Sequence, residues 1–138
     1  MRRARHRQQE GQILVMAAAV MGFLFVPLCV FVIDSGLVAA SYAQLGETLQ
    51  ASAEDGASMI DAGLYRSSNG QQVVLDQIAT KQSADESIRM SQLPGLETWT
   101  VTVKGNVVTT TAELKVRLLV LGVATLSETR SASFAYGE

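Results

Sequence analysis

Residues able to do chemistry are few in this sequence and are poorly placed for it. His6 is the single histidine, and it stands among Arg2, Arg3, Arg5 and Arg7. A Ser-His-Asp relay or a histidine-ligated metal elsewhere in the chain would therefore lack its imidazole. Cys29 is the single cysteine, so no intrachain disulfide can form. Val26-Pro27-Leu28 before it lacks the small residues of a bacterial lipidation site, and Cys29 reads as a small hydrophobe within an apolar helix. The adjacent acids Glu54-Asp55 and Asp85-Glu86 suggest general acid–base work, but neighbours on a helix diverge instead of converging on a substrate. They read as solvated helix faces. No glycine-rich phosphate cradle is present. The expectation is a non-enzymatic protein with no cofactor, no metal and no small-molecule substrate.

Asp34 is the acid whose position calls for an explanation. It follows Ile13 to Ile33, 21 consecutive residues without a charge. At about 1.5 Å per helical residue, such a run matches the ~30 Å hydrocarbon core of a bilayer. The arm through Gly11 carries four Arg and one Glu, net +3, and the segment from Asp34 onward carries 7 Lys+Arg and 12 Asp+Glu, net −5. The basic flank sets the N-terminus in the cytoplasm and the remainder outside it. An acidic exterior argues against nucleic acid or anionic lipid as a partner for that part. The run exceeds the about 7–15 apolar residues of a signal peptide, so a membrane anchor is the expectation. The small residues at Val38-Ala39-Ala40 keep a cleaved signal as the alternative. An acid at the membrane edge is costly unless wet or paired. Asp34 is thus either a simple interfacial acid or the partner of a basic group on a neighbouring subunit. Ala18 and Gly22 form a small-xxx-small pair of the kind that lets helices approach closely. With Asp34 they are the candidate helix–helix contacts.

The elements that must position these residues follow from periodicity. Tyr42, Leu45, Leu49, Ala53, Gly56, Ile60 and Leu64 recur at steps of 3, 4, 4, 3, 4 and 4, a single helical stripe. One helix is predicted from Ile13 to Tyr65, 53 residues and about 80 Å long, with bends allowed at Pro27 and Gly36. Ser67-Ser68-Asn69-Gly70 breaks it. Gln71 to Ile88 is a weakly specified second helix, and Pro94-Gly95 marks a turn. From Thr98 the period becomes two, with Trp99, Val101 and Val103 on one face. Gly105-Asn106 is a hairpin signal. The returning strand sets Ala112, Leu114, Val116 and Leu118 against Glu113, Lys115 and Arg117. Leu118 to Val123 is apolar but too short to span a bilayer. Its residues Leu118, Leu119, Val120 and Leu121 are the candidate partner-contact loop. A third strand is predicted from Leu126 to Tyr136. Three antiparallel strands with one apolar face need a cover, and the helical stripe supplies it. Trp99 reads as a core residue of that face.

The fold class is therefore α+β: a long N-terminal helix, half membrane-spanning and half amphipathic, packed on a small antiparallel sheet. The divisions are a basic arm over 1–12, a span over 13–33, an amphipathic continuation over 34–66, a connector over 67–97 and a sheet over 98–138.

This arrangement resembles the type IV pilin superfamily, and particular residues resemble one branch of it. Glu10-Gly11-Gln12-Ile13-Leu14-Val15 is similar to the "R-G-Q-a-l-V" approach to the membrane in TadE/TadG-like proteins of the Flp (Tad) pilus. Val32-Ile33-Asp34-Ser35-Gly36-Leu37 resembles their "v-i-D-x-G-r" exit. Leu45 to Gly63 resembles the alanine- and glutamine-rich continuation. Trp99 to Val103, Leu118 to Gly122 and Thr129 to Phe134 resemble the family's strand, apolar loop and closing strand. The resemblance implies a minor pilin or pseudopilin-like component in the inner membrane, whose partners are other pilin-like or Tad assembly subunits, itself included. It also implies a candidate prepilin-peptidase cut between Gly11 and Gln12. The chain departs from the pilin pattern at Met16, where filament subunits usually carry a glutamate, so a filament subunit and a retained assembly factor both stay open. The rival from another class is a signal-anchored periplasmic binding module unrelated to pili.

Overall fold

The computed structural model describes the backbone of residues 2–134 and the side chains of residues 12–134. Its elements in chain order are α1 (Arg2–Ala57), α2 (Ala62–Ser67), α3 (Gln77–Met90), β1 (Leu96–Lys104), β2 (Val107–Arg117) and β3 (Val123–Ser133). The strands form a meander in the order β1-β2-β3, antiparallel throughout. α1 lies across β2 and β3, and α3 lies beside it over β1. The fold is α+β, as the change of period from 3.6 to 2 predicts.

α1 passes through Pro27 and Gly36 without interruption. Its two halves meet different surroundings. From Gln12 to Ile33 every residue except Val30 is exposed, including Cys29. This half is long and apolar enough to cross a membrane. The other half buries Leu45, Leu49, Ala53 and Ala57. These meet Leu75, Ala84 and Ile88 from one side and Val101, Val108, Ala112 and Leu114 from the sheet. The alternation of β2 is as predicted, with Ala112 and Leu114 inside and Glu113 and Lys115 outside. Small residues set the helix-to-sheet spacing. A Cβ on Gly56 would stand 3.1 Å from the Thr80 carbonyl oxygen and 3.2 Å from both Ala84 Cβ and Val108 Cγ1.

Several boundaries differ from the sequence reading: α1 starts at Arg2 instead of Ile13 and β1 at Leu96 instead of Thr98, and three further differences have a local cause. The long helix ends at Ala57, not at Tyr65. Ser58 Oγ donates to the Asp55 carbonyl (2.7 Å), competing with the helical ladder. The next residues pair sideways: Ile60 bridges to Leu75, and Asp61 N–H donates to Val74 O (2.9 Å). Asp61 then accepts from Gly63 and Leu64 N–H and opens the separate helix α2. Ile60 and Leu64 hold helical spacing across this break, which made the stripe look continuous, yet Leu64 is exposed.

The second difference concerns the helix predicted over Gln71 to Ile88, which is present but runs Gln77–Met90. α3 starts at Gln77, capped by Asp76, which accepts from Ile78 and Ala79 N–H. Its buried residues Thr80, Ala84 and Ile88 stand four apart. Thr80 is polar and Ala84 small, so the stripe carries a weak hydrophobic signal. Third, β3 begins at Val123, three residues before the predicted Leu126, because Arg117 pairs with Val123 to close the hairpin.

Two buried hydroxyls tie the layers together. Ser52 Oγ donates to Ala84 O (2.9 Å) and Thr110 Oγ1 donates to Leu49 O (2.9 Å). Each meets the demand that a buried polar group find a partner.

Candidate functional site

Asp34 and the apolar loop, treated separately in the sequence, meet in the structure. Asp34 is the first residue past the uncharged run and is 2 % exposed. Its Oδ1 accepts from Leu119 N–H (2.8 Å) and its Oδ2 from Val120 N–H (3.3 Å). A buried carboxylate without a cation beside it requires such donors. Successive backbone N–H groups in a turn provide them as a small anion-binding nest. The turn that presents them is closed by Leu118 N–H donating to Gly122 O (2.7 Å). Gly122 adopts φ +84 there, a conformation that a side chain would strain.

The side chains of the turn go the other way. Leu119, Val120, Leu121 and Val123 are 66, 70, 67 and 58 % exposed. Leu118 and Leu121 turn part of their surface toward a groove against α1, lined also by Asp34, Ser35, Val38, Ala39 and Tyr42. Val30, one helical turn before Asp34, is partly buried. The β2–β3 tip is thus fastened beside the last turn of the exposed apolar half.

The remaining predicted residues lie apart from this junction. Ala18 and Gly22 are on the exposed surface of α1, and a Cβ on Gly22 would meet nothing within 4 Å. Gln12 is exposed, whereas the surroundings of Gly11 lie outside the described side chains. Trp99 is partly buried against the core. Its indole N–H donates to Asp85 Oδ1 (3.1 Å), and the Arg89 guanidinium lies 6.0 Å from the ring centroid. Asp85 therefore holds a core aromatic, and its neighbour Glu86 points to solvent. Glu54 accepts from Gln50 (2.7 Å) at the helix surface. Neither acid pair converges on a common point. Among the described residues no cluster of three His, Cys, Asp or Glu could hold a metal ion.

Sequence reasoning missed two charged pairs, the exposed Lys115–Glu97 pair (2.7 Å) and a partly buried one. Glu128 is 8 % exposed on the face of β3 that meets α1, and its Oε1 lies 2.8 Å from Arg130 Nη2. Gly46 makes room for that guanidinium, since a Cβ there would stand 3.2 Å from Nη2. The signal available was the even register of β3, which puts Glu128 in line with Leu126 and Ala124. No family model, curated protein or solved structure matches this chain.

Proposed function

We propose that the chain is a single-pass inner-membrane protein with its N-terminus in the cytoplasm. In this reading it is a structural, non-enzymatic component of a Tad (Flp) type IV pilus or related secretion assembly, of minor pilin or pseudopilin type. The observation that carries the reading is the division of one continuous helix into an uncovered apolar half and a half that holds a three-stranded sheet. Fourteen large apolar side chains between Ile13 and Ile33 are exposed. Covering them would contribute on the order of tens of kcal/mol, far more than an isolated soluble chain leaves unused. A bilayer supplies that cover. Helices of like subunits supply it where Ala18 and Gly22 permit close approach. The basic arm favours the stated orientation. The resemblance of the segments around Gly11 and Asp34 to TadE/TadG-like proteins supplies the assembly.

Two measurements on the membrane-fraction protein test this. Intact mass gives the mature N-terminus. A start at Gln12 means prepilin-type processing and a pilin-like subunit, and a start at Met1 means a permanently anchored assembly factor. A start near Ser41 removes the anchor and overturns the reading. Replacing residues 13–33 with an unrelated apolar helix separates assembly from mere tethering. The assembly reading expects co-purification of pilin-like subunits to fall while the outer domain stays folded. Unchanged piliation would favour a binding module held on an interchangeable anchor.

A further inference from the structure

We propose that the β2–β3 tip, residues 118–123, is a second membrane contact, seated in the headgroup–acyl boundary of the bilayer that α1 crosses. This rests on the anchor reading and deepens it by naming what the exposed tip touches. Three observations converge. The first is position. A helical side chain leans toward the N-terminus of its helix, so the Asp34 carboxylate reaches back toward Val30. The N–H groups of Leu119 and Val120 are bonded to it. The tip is therefore held at Asp34, the end of the apolar run, with Leu118 and Leu121 continuing along Ser35 to Tyr42, at the level where hydrocarbon gives way to headgroups.

The second observation is the state of the backbone. Peptide groups entering a water-poor layer must be satisfied internally. The N–H groups of Leu118, Leu119 and Val120 are all spent within the chain, on Gly122 O and on Asp34. Asp34 is spent in the same bonds, so these three N–H groups and the carboxylate they meet present no unmet polarity to the lipid. The third is the pattern of charge. No charged residue occurs between Leu118 and Ser127, and Arg117 stands at the base of the tip. Arg117 is exposed and forms no ion pair among the described residues. The outer segment as a whole is net −5 and disfavours anionic lipid, but none of its acids lies between Leu118 and Ser127. Apolar side chains at the boundary with a single cation above them fit the headgroup layer locally.

The test uses the full chain in vesicles of phosphatidylethanolamine and phosphatidylglycerol that contain spin-labelled acyl chains. In one sample the native Cys29 carries an environment-sensitive nitrobenzoxadiazole label. In the other, the double variant Cys29→Ser, Leu121→Cys carries it at position 121. Both sites are exposed on the protein, so neither substitution disturbs the core. The expected result is loss of fluorescence to lipid spin labels at both positions, with position 121 shielded from aqueous iodide. Adding Asp34→Ala to the double variant should reduce lipid quenching at position 121 and raise iodide quenching. Unchanged quenching there would overturn the role given to Asp34. Lipid quenching at Cys29 with iodide quenching at position 121 would place the tip in water and overturn the proposal, leaving the anchor intact. Quenching of position 121 by neither agent, with Cys29 still quenched by lipid, would mean a protein neighbour covers the tip, and would also overturn it. Loss of lipid quenching at both positions would bring down the anchor reading and this proposal together.

Discussion

The two halves of α1 share one backbone and one helical geometry, yet one is left uncovered and the other is packed against the sheet. Between Gln12 and Ile33 large apolar residues occur on all sides and are exposed. Between Leu45 and Ala57 they shrink to a stripe of Leu45, Leu49, Ala53 and Ala57 with polar and small residues around it. A helix that is apolar all round suits lipid or the middle of a bundle, and a helix with one apolar stripe suits a single packing partner. The difference shows that continuity of secondary structure says nothing about continuity of environment. The position of Asp34, buried at the junction and bonded to a distant turn, marks where one environment ends.

The comparison breaks most readily at Leu49. It is fully buried in the contact between α1 and the sheet, so Leu49→Ala should lower the stability of the outer domain by about 2–5 kcal/mol. Leu24 is 62 % exposed on the other half, and Leu24→Ala should leave the unfolding transition of the outer domain in place. Circular dichroism melts of both full-length variants in the same detergent check this. Equal shifts would mean that the halves are not energetically distinct.

Glycine gives a second contrast, of smaller size. Gly56 packs within 3.2 Å of Ala84 and Val108 where a Cβ would be. Gly56→Val should then cost about 1–3 kcal/mol by overpacking, partly offset by relief of the glycine penalty in a helix. A melt unchanged from the wild type would show that the helix-to-sheet spacing is more yielding than the geometry implies.

How far the sequence discloses these features depends on how local each signal is. The stripe at Leu45, Leu49, Ala53 and Gly56 and the alternation of β2 are written within a few turns or a few pleats, and both are found as read. The end of α1 at Ala57 was hidden because Ile60 and Leu64 keep helical spacing after the chain has turned aside to pair with Leu75. α3 was under-read because its buried positions are Thr80, Ala84 and Ile88, of which only the last is strongly apolar. Its cap, Asp76, was the better local sign. Both halves of the junction were legible: Asp34 as an acid at a costly place and Leu118 to Val123 as an apolar run too short to span. Their meeting was not, because 85 positions separate Asp34 from Leu119, and nothing in either segment specifies the other. Only the register of β2 with β3 and the seating of α1 on the sheet bring them together.

A third variant sharpens the packed half on its polar side. Thr110 is fully buried, and its hydroxyl donates to Leu49 O across the layer boundary (2.9 Å). Thr110→Val keeps the shape and removes the donor. Leu49 O remains within its helix and retains its intrahelical bond, so no acceptor is stranded. The expected loss is about 0.5–1.5 kcal/mol in the same melt. A loss as large as that of Leu49→Ala would mean that the hydroxyl, more than apolar packing, fixes α1 on the sheet.

The smallest effect on the fold belongs to Gly22, and there it is the absence of an effect that informs. A side chain at this position meets nothing within 4 Å inside the protein, so Gly22→Ile should leave the outer-domain melt within about 0.5 kcal/mol of wild type. If Ala18 and Gly22 form a close helix–helix contact in the bilayer, the added bulk separates the two backbones. Crosslinking through the native Cys29, or co-purification with pilin-like subunits, should then fall while the melt stays put. A variant that associates as the wild type does would remove Ala18 and Gly22 as the helix–helix contact, so that any neighbour of the exposed half of α1 would have to meet another of its faces.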